Sequence, residues 1–381
     1  MTSARERGVR TAPSARIVDV TSLADLPLRP DLAGRTAYGA PQLHVPVTLN
    51  VNENTHPVPE EVRAEILQRI AAALDEVNRY PDREFTALRE ALAGYLGHGL
   101  TPAQLWAANG SNEVLQHVFQ AFGGPGRTLL TFPPTYSMYP NYAVTSGTAV
   151  AEGVRDDDFR LSPETVVREI ERVRPDIVIL AAPNNPTGTP VGLDTIRAAY
   201  DATGGVLVVD EAYGEFMPAD APSALTLLPG RPRLAVSRTM SKAFAFAGAR
   251  LGYLAADPAF TDALRLVRLP YHLSAITQAA ALGALAHAPL MLRMVDEIRV
   301  QRDRTAAGLE ALGYRVWPSW TNFLLFGGVD DPKALWQGLL DRGVLIRDLA
   351  IPGALRVSAG TAVETDAFLD AMAALTPVGA R

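Results

Sequence analysis

The chain has 381 residues, 48% hydrophobic and 20% charged, with a formal net charge of -6. That length is too great for one hydrophobic core and predicts a large and a smaller domain. The acidic balance, with no Lys/Arg-rich run, excludes a general nucleic-acid surface. The absence of cysteine excludes disulfides, thiolate metal sites and cysteine nucleophiles.

Residues 1–19 are charged, broken by Pro13, and lack the apolar stretch of a secretory signal. They are expected to form a poorly ordered lead-in. No apolar run is long enough to span a membrane, so a cytoplasmic location is expected. Val62, Ile66, Ile70 and Leu74, each four apart, predict a helix over 60–76. Residues 83–95 and 111–122 read as two more helices, the second with Ser111 as its cap. Strands are predicted over 128–132, 149–152, 177–181, 206–209, 233–236 and 251–255. Helices over 163–172 and 193–202 lie between them, the first with Ser162 as cap and Pro163 at its first position. Short apolar strands alternating with helices predict an α/β fold with a mostly parallel, buried sheet flanked by helices. Beyond residue 274 a long helical stretch over 275–312 precedes strands at 314–316 and 322–326, a helix, and strands at 344–347 and 355–358. That pattern predicts a smaller α+β unit. The division expected is 1–45 as an N-terminal arm joining the small domain, 46–273 as the large domain and 274–381 as the small one.

Lysine occurs only at Lys242 and Lys333, so candidate nucleophilic amines are few. Lys242 closes the run Ser237-Arg238-Thr239-Met240-Ser241-Lys242, and Arg250 follows eight residues later. Hydroxyls and a bidentate guanidinium around an amine suit a dianionic phosphate. The flanking apolar residues suit a buried lysine of lowered pKa, poised to form a Schiff base. Asp210 ends an apolar strand, where a carboxylate needs a partner and where open α/β sheets bind ligands. A pyridoxal 5'-phosphate ring needs such an acid at its nitrogen, and Tyr213 lies within reach of the ring's 3'-oxygen. The turn Pro183-Asn184-Asn185-Pro186-Thr187-Gly188 places Asn185 one strand–helix–strand repeat before Asp210, on the same rim. Asn109-Gly110-Ser111-Asn112 opens a helix, where backbone N–H groups attract phosphate. Tyr136 follows the next strand, in position to stack on a ring. The six histidines show no metal-ligand spacing, and no P-loop or G-x-G-x-x-G is present, so no metal is expected.

This ordered set resembles the class II, fold-type I pyridoxal-phosphate aminotransferases. Within them it resembles the histidinol-phosphate aminotransferase family, actinobacterial members above all. The likeness extends through Tyr38-Gly39-Ala40-Pro41, Asn52-Glu53-Asn54, Arg79-Tyr80-Pro81-Asp82, Arg347-Asp348 and Leu355-Arg356-Val357. The resemblance implies transamination between histidinol phosphate and 2-oxoglutarate in a homodimer. By it, Lys242 holds the cofactor and moves the substrate's proton, Asp210 pairs with the ring nitrogen, Asn185 and Tyr213 meet the 3'-oxygen and Tyr136 stacks. Ser111, Asn112, Thr239, Ser241 and Arg250 bind the phosphate, with Tyr80 from the partner subunit. Arg356 takes the substrate's anionic group, Arg347 and Tyr38 assist, and Asn54 lines the entrance. The chain departs from the family at Thr55, where the pattern has Pro, and at Val363-Glu364-Thr365. The aromatic segments 136–142 and 317–320 are expected near the substrate mouth. They leave open an aromatic amino-acid aminotransferase, or a decarboxylase on the same scaffold.

Overall fold

The computed structural model describes residues 22–376, apart from 38 and 40. The expectations for residues 1–19 and for Tyr38 lie outside these. The described residues from 22 to 39 belong to a unit of their own, with short 3-10 turns at Leu23–Asp25 and Pro30–Leu32. The unit from residue 40 onward carries the rest of the structure.

It begins with β1 (Val47–Thr48), α1 (Glu60–Leu74), α2 (Thr86–Leu96), β2 (Leu105–Ala108), α3 (Ser111–Phe122), β3 (Thr128–Thr131), α4 (Met138–Ser146) and β4 (Ala149–Glu152). Next come α5 (Pro163–Val173), β5 (Ile177–Ala181), α6 (Leu193–Ala202), β6 (Val206–Asp210), β7 (Leu234–Thr239), β8 (Gly252–Ala256) and α7 (Pro258–Val267). Ser162 accepts the Thr165 N–H and Pro163 opens α5, as expected. Seven strands make one sheet in the order β2-β8-β7-β6-β5-β3-β4. All its pairings are parallel except those of β8, which runs antiparallel to β2 and β7. Every residue of β5, β6 and β8 is buried, which is why these strands read as unbroken apolar runs. The α/β class and the mostly parallel sheet are as expected.

The chain continues through α8 (Ala275–Ala286), α9 (Ala288–Ala311), β9 (Arg315–Val316), β10 (Phe323–Gly327), α10 (Pro332–Leu340), β11 (Val344–Leu345), β12 (Ala354–Ser358) and α11 (Ala362–Leu375). The helical stretch expected over 275–312 is two helices, bent by 77° at His287. Pro289 lies in the first turn of α9, where it needs no N–H partner but cannot continue α8. Among the described residues no single helix is long and apolar enough to cross a membrane. The strands β12-β10-β9 form an antiparallel sheet, while β1 pairs in parallel with β11.

Among the described residues two large hydrophobic cores and one small cluster result. The first gathers the large sheet with its helices and reaches Met291, Met294, Val295 and Ile298 of α9. The second joins Val47 and Leu49 to Leu309, Phe326, Leu355 and Phe368. One helix therefore contributes to both. At the start of α11, Thr361 and Glu364 cap each other reciprocally, so the departure at 363–365 includes a helix-start device.

Candidate active site

Parallel strands end together, and the carboxyl ends of β5, β6 and β7 form one rim. The register sets Ala181 beside Asp210, and Asp210 beside Ser237. The loops leaving this rim carry most of the predicted site residues.

One end of the rim is built on glycines. Gly110, at φ 84, precedes α3, and no side chain caps that helix. Ser111, expected as the cap, is instead the first helical residue. The left-handed backbone at Gly110 turns the chain without a side-chain cap and leaves the helix N-terminus open to an anion. Gly252 of β8 lies against this turn: a Cβ there would come within 2.0 Å of the Ser111 nitrogen. A Cβ on Gly110 would meet the Arg250 guanidinium at 2.5 Å. Thr239 pairs across the sheet with Gly252, and its hydroxyl donates to Ser241 Oγ at 3.0 Å. Ser111, Asn112, Thr239, Ser241 and Arg250 therefore gather in one cradle, and Arg250 holds a left-handed φ of 58.

The middle of the rim is built on Asp210. Its side chain is buried, and burial raises its carboxyl pKa to about 6, with the neighbouring Glu211 charge acting in the same direction. Oδ2 accepts a hydrogen bond from Tyr139 at 2.8 Å. Oδ1 is buried with no hydrogen-bond partner among the described residues. An open acceptor at the end of a buried strand fits a protonated ring nitrogen, and the glycine-lined cradle fits that ring's phosphate. Lys242 is half-buried, and its Nζ donates to the Val51 carbonyl at 3.1 Å. Burial lowers its pKa to about 8; the Arg356 and Arg250 charges add to this and Glu53 opposes it.

The substrate-side residues meet the same rim. Arg356, in β12, donates to Asn185 Oδ1 at 2.7 Å and to the Asn50 carbonyl at 2.8 Å. Its guanidinium lies 5.2 Å over Phe323, which meets Tyr213 edge-on. Arg347 pairs through its backbone with Arg356 and lines a pocket of about 370 Å³ with Pro41, Trp336 and Gln337. Asn54 donates to the Ala243 carbonyl and accepts the His56 N–H, anchoring its loop beside Lys242. Tyr80 is 80% exposed, outside this cluster, and stacks on Tyr271 at 4.3 Å.

Sequence reasoning missed four groups. Segment 136–142, expected near the substrate mouth, faces the Asp210 side instead. Tyr139 reaches Asp210, and the hydroxyls of Tyr136 and Tyr142 donate to Asn112. Trp317, in a segment expected near the mouth but itself read as a packing residue, is buried with Leu325 and Ala354. Asn52, buried at φ 55, donates to the Tyr213 hydroxyl at 2.9 Å and accepts from Ser358 at 3.0 Å. Arg238, mostly shielded from solvent, sits between two carboxylates, 2.7 Å from Glu211 and 3.4 Å from Glu215. Glu211 also accepts from Ser223 and from the Ala224 N–H. This cluster ties the strand end bearing Asp210 to the segment leading to Lys242. Asn52 lay in a family-like segment whose partners are hundreds of residues away, and the Glu211–Arg238 pairing crosses strands; neither leaves a local signal.

Replacing Arg238 with Met should leave two buried carboxylates without their cation, at a cost of about 3–5 kcal/mol. Protonating a carboxylate relieves that penalty, so the deficit should shrink as pH falls and grow as pH rises. Denaturant midpoints at pH 5 and pH 8 check both the size and the sign.

Comparison with known proteins agrees with this geometry. Residues 45–372 match the family model for aminotransferase class I and II. The chain is 60% identical over 353 residues to the histidinol-phosphate aminotransferase of Paenarthrobacter aurescens, covering 92% of this chain and 95% of that protein. It is 55% identical over 355 residues to the corresponding protein of Frankia casuarinae, covering 91% and 89%. Among solved structures it resembles the histidinol-phosphate aminotransferase of Sinorhizobium meliloti in complex with pyridoxal-5'-phosphate. That likeness has a TM-score of 0.79 at 27% identity and covers 87% of this chain and 92% of that one. The chain belongs to the class I and II aminotransferases.

Proposed function

We propose that this protein is a pyridoxal 5'-phosphate aminotransferase that moves an amino group from histidinol phosphate to 2-oxoglutarate, in histidine biosynthesis. The observation that carries this reading is the convergence of Lys242, Asp210, Asn185 and Arg356 at one sheet rim, in a chain so close to the curated enzymes of that name. When bound, the cofactor supplies an aldehyde that condenses with amines and a ring that withdraws electrons from the substrate's Cα.

The protein's own groups do the rest. Lys242 holds the cofactor, and its Nζ, with a pKa lowered to about 8, then takes the proton from Cα; a base tuned near working pH does so most effectively. Asp210 would accept the N–H of the protonated ring nitrogen and keep it protonated, Asn185 and Tyr213 would bond the 3'-oxygen, and Tyr136 would stack on the ring. Ser111, Asn112, Thr239, Ser241 and Arg250 hold the phosphate. Arg356 receives the carboxylate of glutamate or the phosphate of histidinol phosphate, so one guanidinium serves both half-reactions. Arg347 assists with the phosphate, and Asn54 supports the entrance loop.

Tyr80 serves the partner subunit's cofactor in a homodimer. Its exposure supports that role, as do the exposed apolar residues Leu266 and Leu269, close in sequence to Tyr271; apolar surface of this kind marks interfaces. The large domain spans 46–273 and the small domain 274–381, although Val47 and Leu49 pack in the second core and α9 contributes to both cores. The enzyme acts in the cytoplasm on small-molecule amino donors and 2-oxo acids.

The half-reaction tests this function. Mixing the holoenzyme with L-histidinol phosphate, L-glutamate or L-phenylalanine and following the visible band should show fast bleaching by the first two. Bleaching by glutamate and phenylalanine but not by histidinol phosphate would refute the substrate assignment. Arg356→Ala should lower kcat/KM by about 2–5 kcal/mol, because it leaves a buried substrate anion unpaired. Steady-state kinetics with histidinol phosphate read that loss, and an unchanged value would remove Arg356 from the site.

A further inference from the structure

We propose that Tyr139 is a positioning residue for this reaction: its hydroxyl, donated to Asp210 Oδ2, holds the carboxylate and leaves Oδ1 directed at the cofactor's ring nitrogen. The proposal rests on the reading that Asp210 faces that nitrogen.

Tyr139 is fully buried in the first turn of α4. A buried tyrosine hydroxyl needs a partner, and this one reaches Asp210 at 2.8 Å, across 71 residues of sequence. Its ring meets Tyr136 edge-on at 5.5 Å. One short segment thus carries both the ring proposed to stack on the cofactor and the donor to the carboxylate beneath it. The two carboxylate oxygens have different environments: Oδ2 is taken, and Oδ1 is buried without a partner among the described residues. A carboxylate held by the Tyr139 hydroxyl, with the Ala212 N–H also acting on it, cannot swing freely, so Oδ1 stays aimed.

The charges around the pair are few. Burial raises the Asp210 carboxyl, and Glu211 acts in the same direction. The Tyr139 hydroxyl and the Ala212 N–H act against them. Tyr136, Tyr142 and Arg155 act on Tyr139 itself. Burial holds the Tyr139 phenol well above its ordinary value, so it remains a donor throughout the working pH range. Asp210 has a raised folded pKa of about 6. Its anionic form, the form that pairs with a protonated ring nitrogen, is therefore lost as pH falls through that value. Removing the Tyr139 donor moves this loss to higher pH.

The test measures the dissociation constant of pyridoxal 5'-phosphate from apoenzyme between pH 5 and pH 9, in wild type, Tyr139→Phe, Tyr142→Phe and Asp210→Asn. Phenylalanine keeps the packing and removes only the hydroxyl. In Tyr139→Phe the acid limb of cofactor affinity should move up by about one pH unit, the scale of one hydrogen bond to a charged group. Affinity at pH 8.5 should stay within about threefold of wild type. Tyr142→Phe, which loses a bond to Asn112 instead, should keep the wild-type limb. A uniform loss in Tyr139→Phe at every pH would mean a packing role and overturn the proposal. So would a wild-type limb in Tyr139→Phe alongside its loss in Asp210→Asn, which leaves the Asp210 reading standing. A wild-type profile in Asp210→Asn would overturn both.

Discussion

A carboxylate at the buried end of a parallel strand is the constraint around which this site is arranged. Asp210 occupies that place because β6 runs between β5 and β7 and all three end at one rim. Isolated, such a group would protonate or destabilise the fold. Here one oxygen is satisfied by Tyr139 and the other is open. Next in sequence, Glu211 is satisfied by Arg238. The strand end thus carries two acids with opposite fates: one is neutralised inside the protein, and the other is open to a ligand cation.

The same rim receives the smaller sheet. Arg356 and Ser358 both lie on β12. Arg356 reaches Asn185 on the loop after β5, and Ser358 bonds Asn52, which in turn donates to Tyr213. Arg356 and the Ser358 that holds Asn52 against Tyr213 therefore share one strand. Asn52 holds a left-handed backbone that an asparagine tolerates better than most residues. Its buried hydrogen bonds to Tyr213 and Ser358 over-determine that conformation.

Much of this was legible in the sequence. The strands over 149–152 and 177–181 and the helices over 111–122 and 193–202 end where the sequence pattern placed them, since each has Gly or Pro within two residues of both ends. The cofactor-side residues stood out because they sit in loops just beyond apolar strands, where chemistry and position coincide. The aromatic run at 136–142 read as a loop because Tyr and Pro140 hide a helical signal. The structure tolerates Pro140 because it lies in the first turn of α4. The helix over 258–267 was unread, although Asp257 caps it and Pro258 opens it. Contacts between distant segments, such as Tyr139 with Asp210 and Asn52 with Ser358, leave no periodic trace, because their partners are joined only by the fold.

The central claim is that one lysine, lowered in pKa by burial at this rim, holds the cofactor. With Lys242 and Lys333 the only lysines, the question has few answers. The measurement is borohydride reduction of the yellow holoenzyme followed by proteolysis and mass spectrometry of the labelled peptide. The account predicts a single label on Lys242, abolished in Lys242→Ala. A label on Lys333 or on the terminal amine, or one that survives in Lys242→Ala, would contradict it.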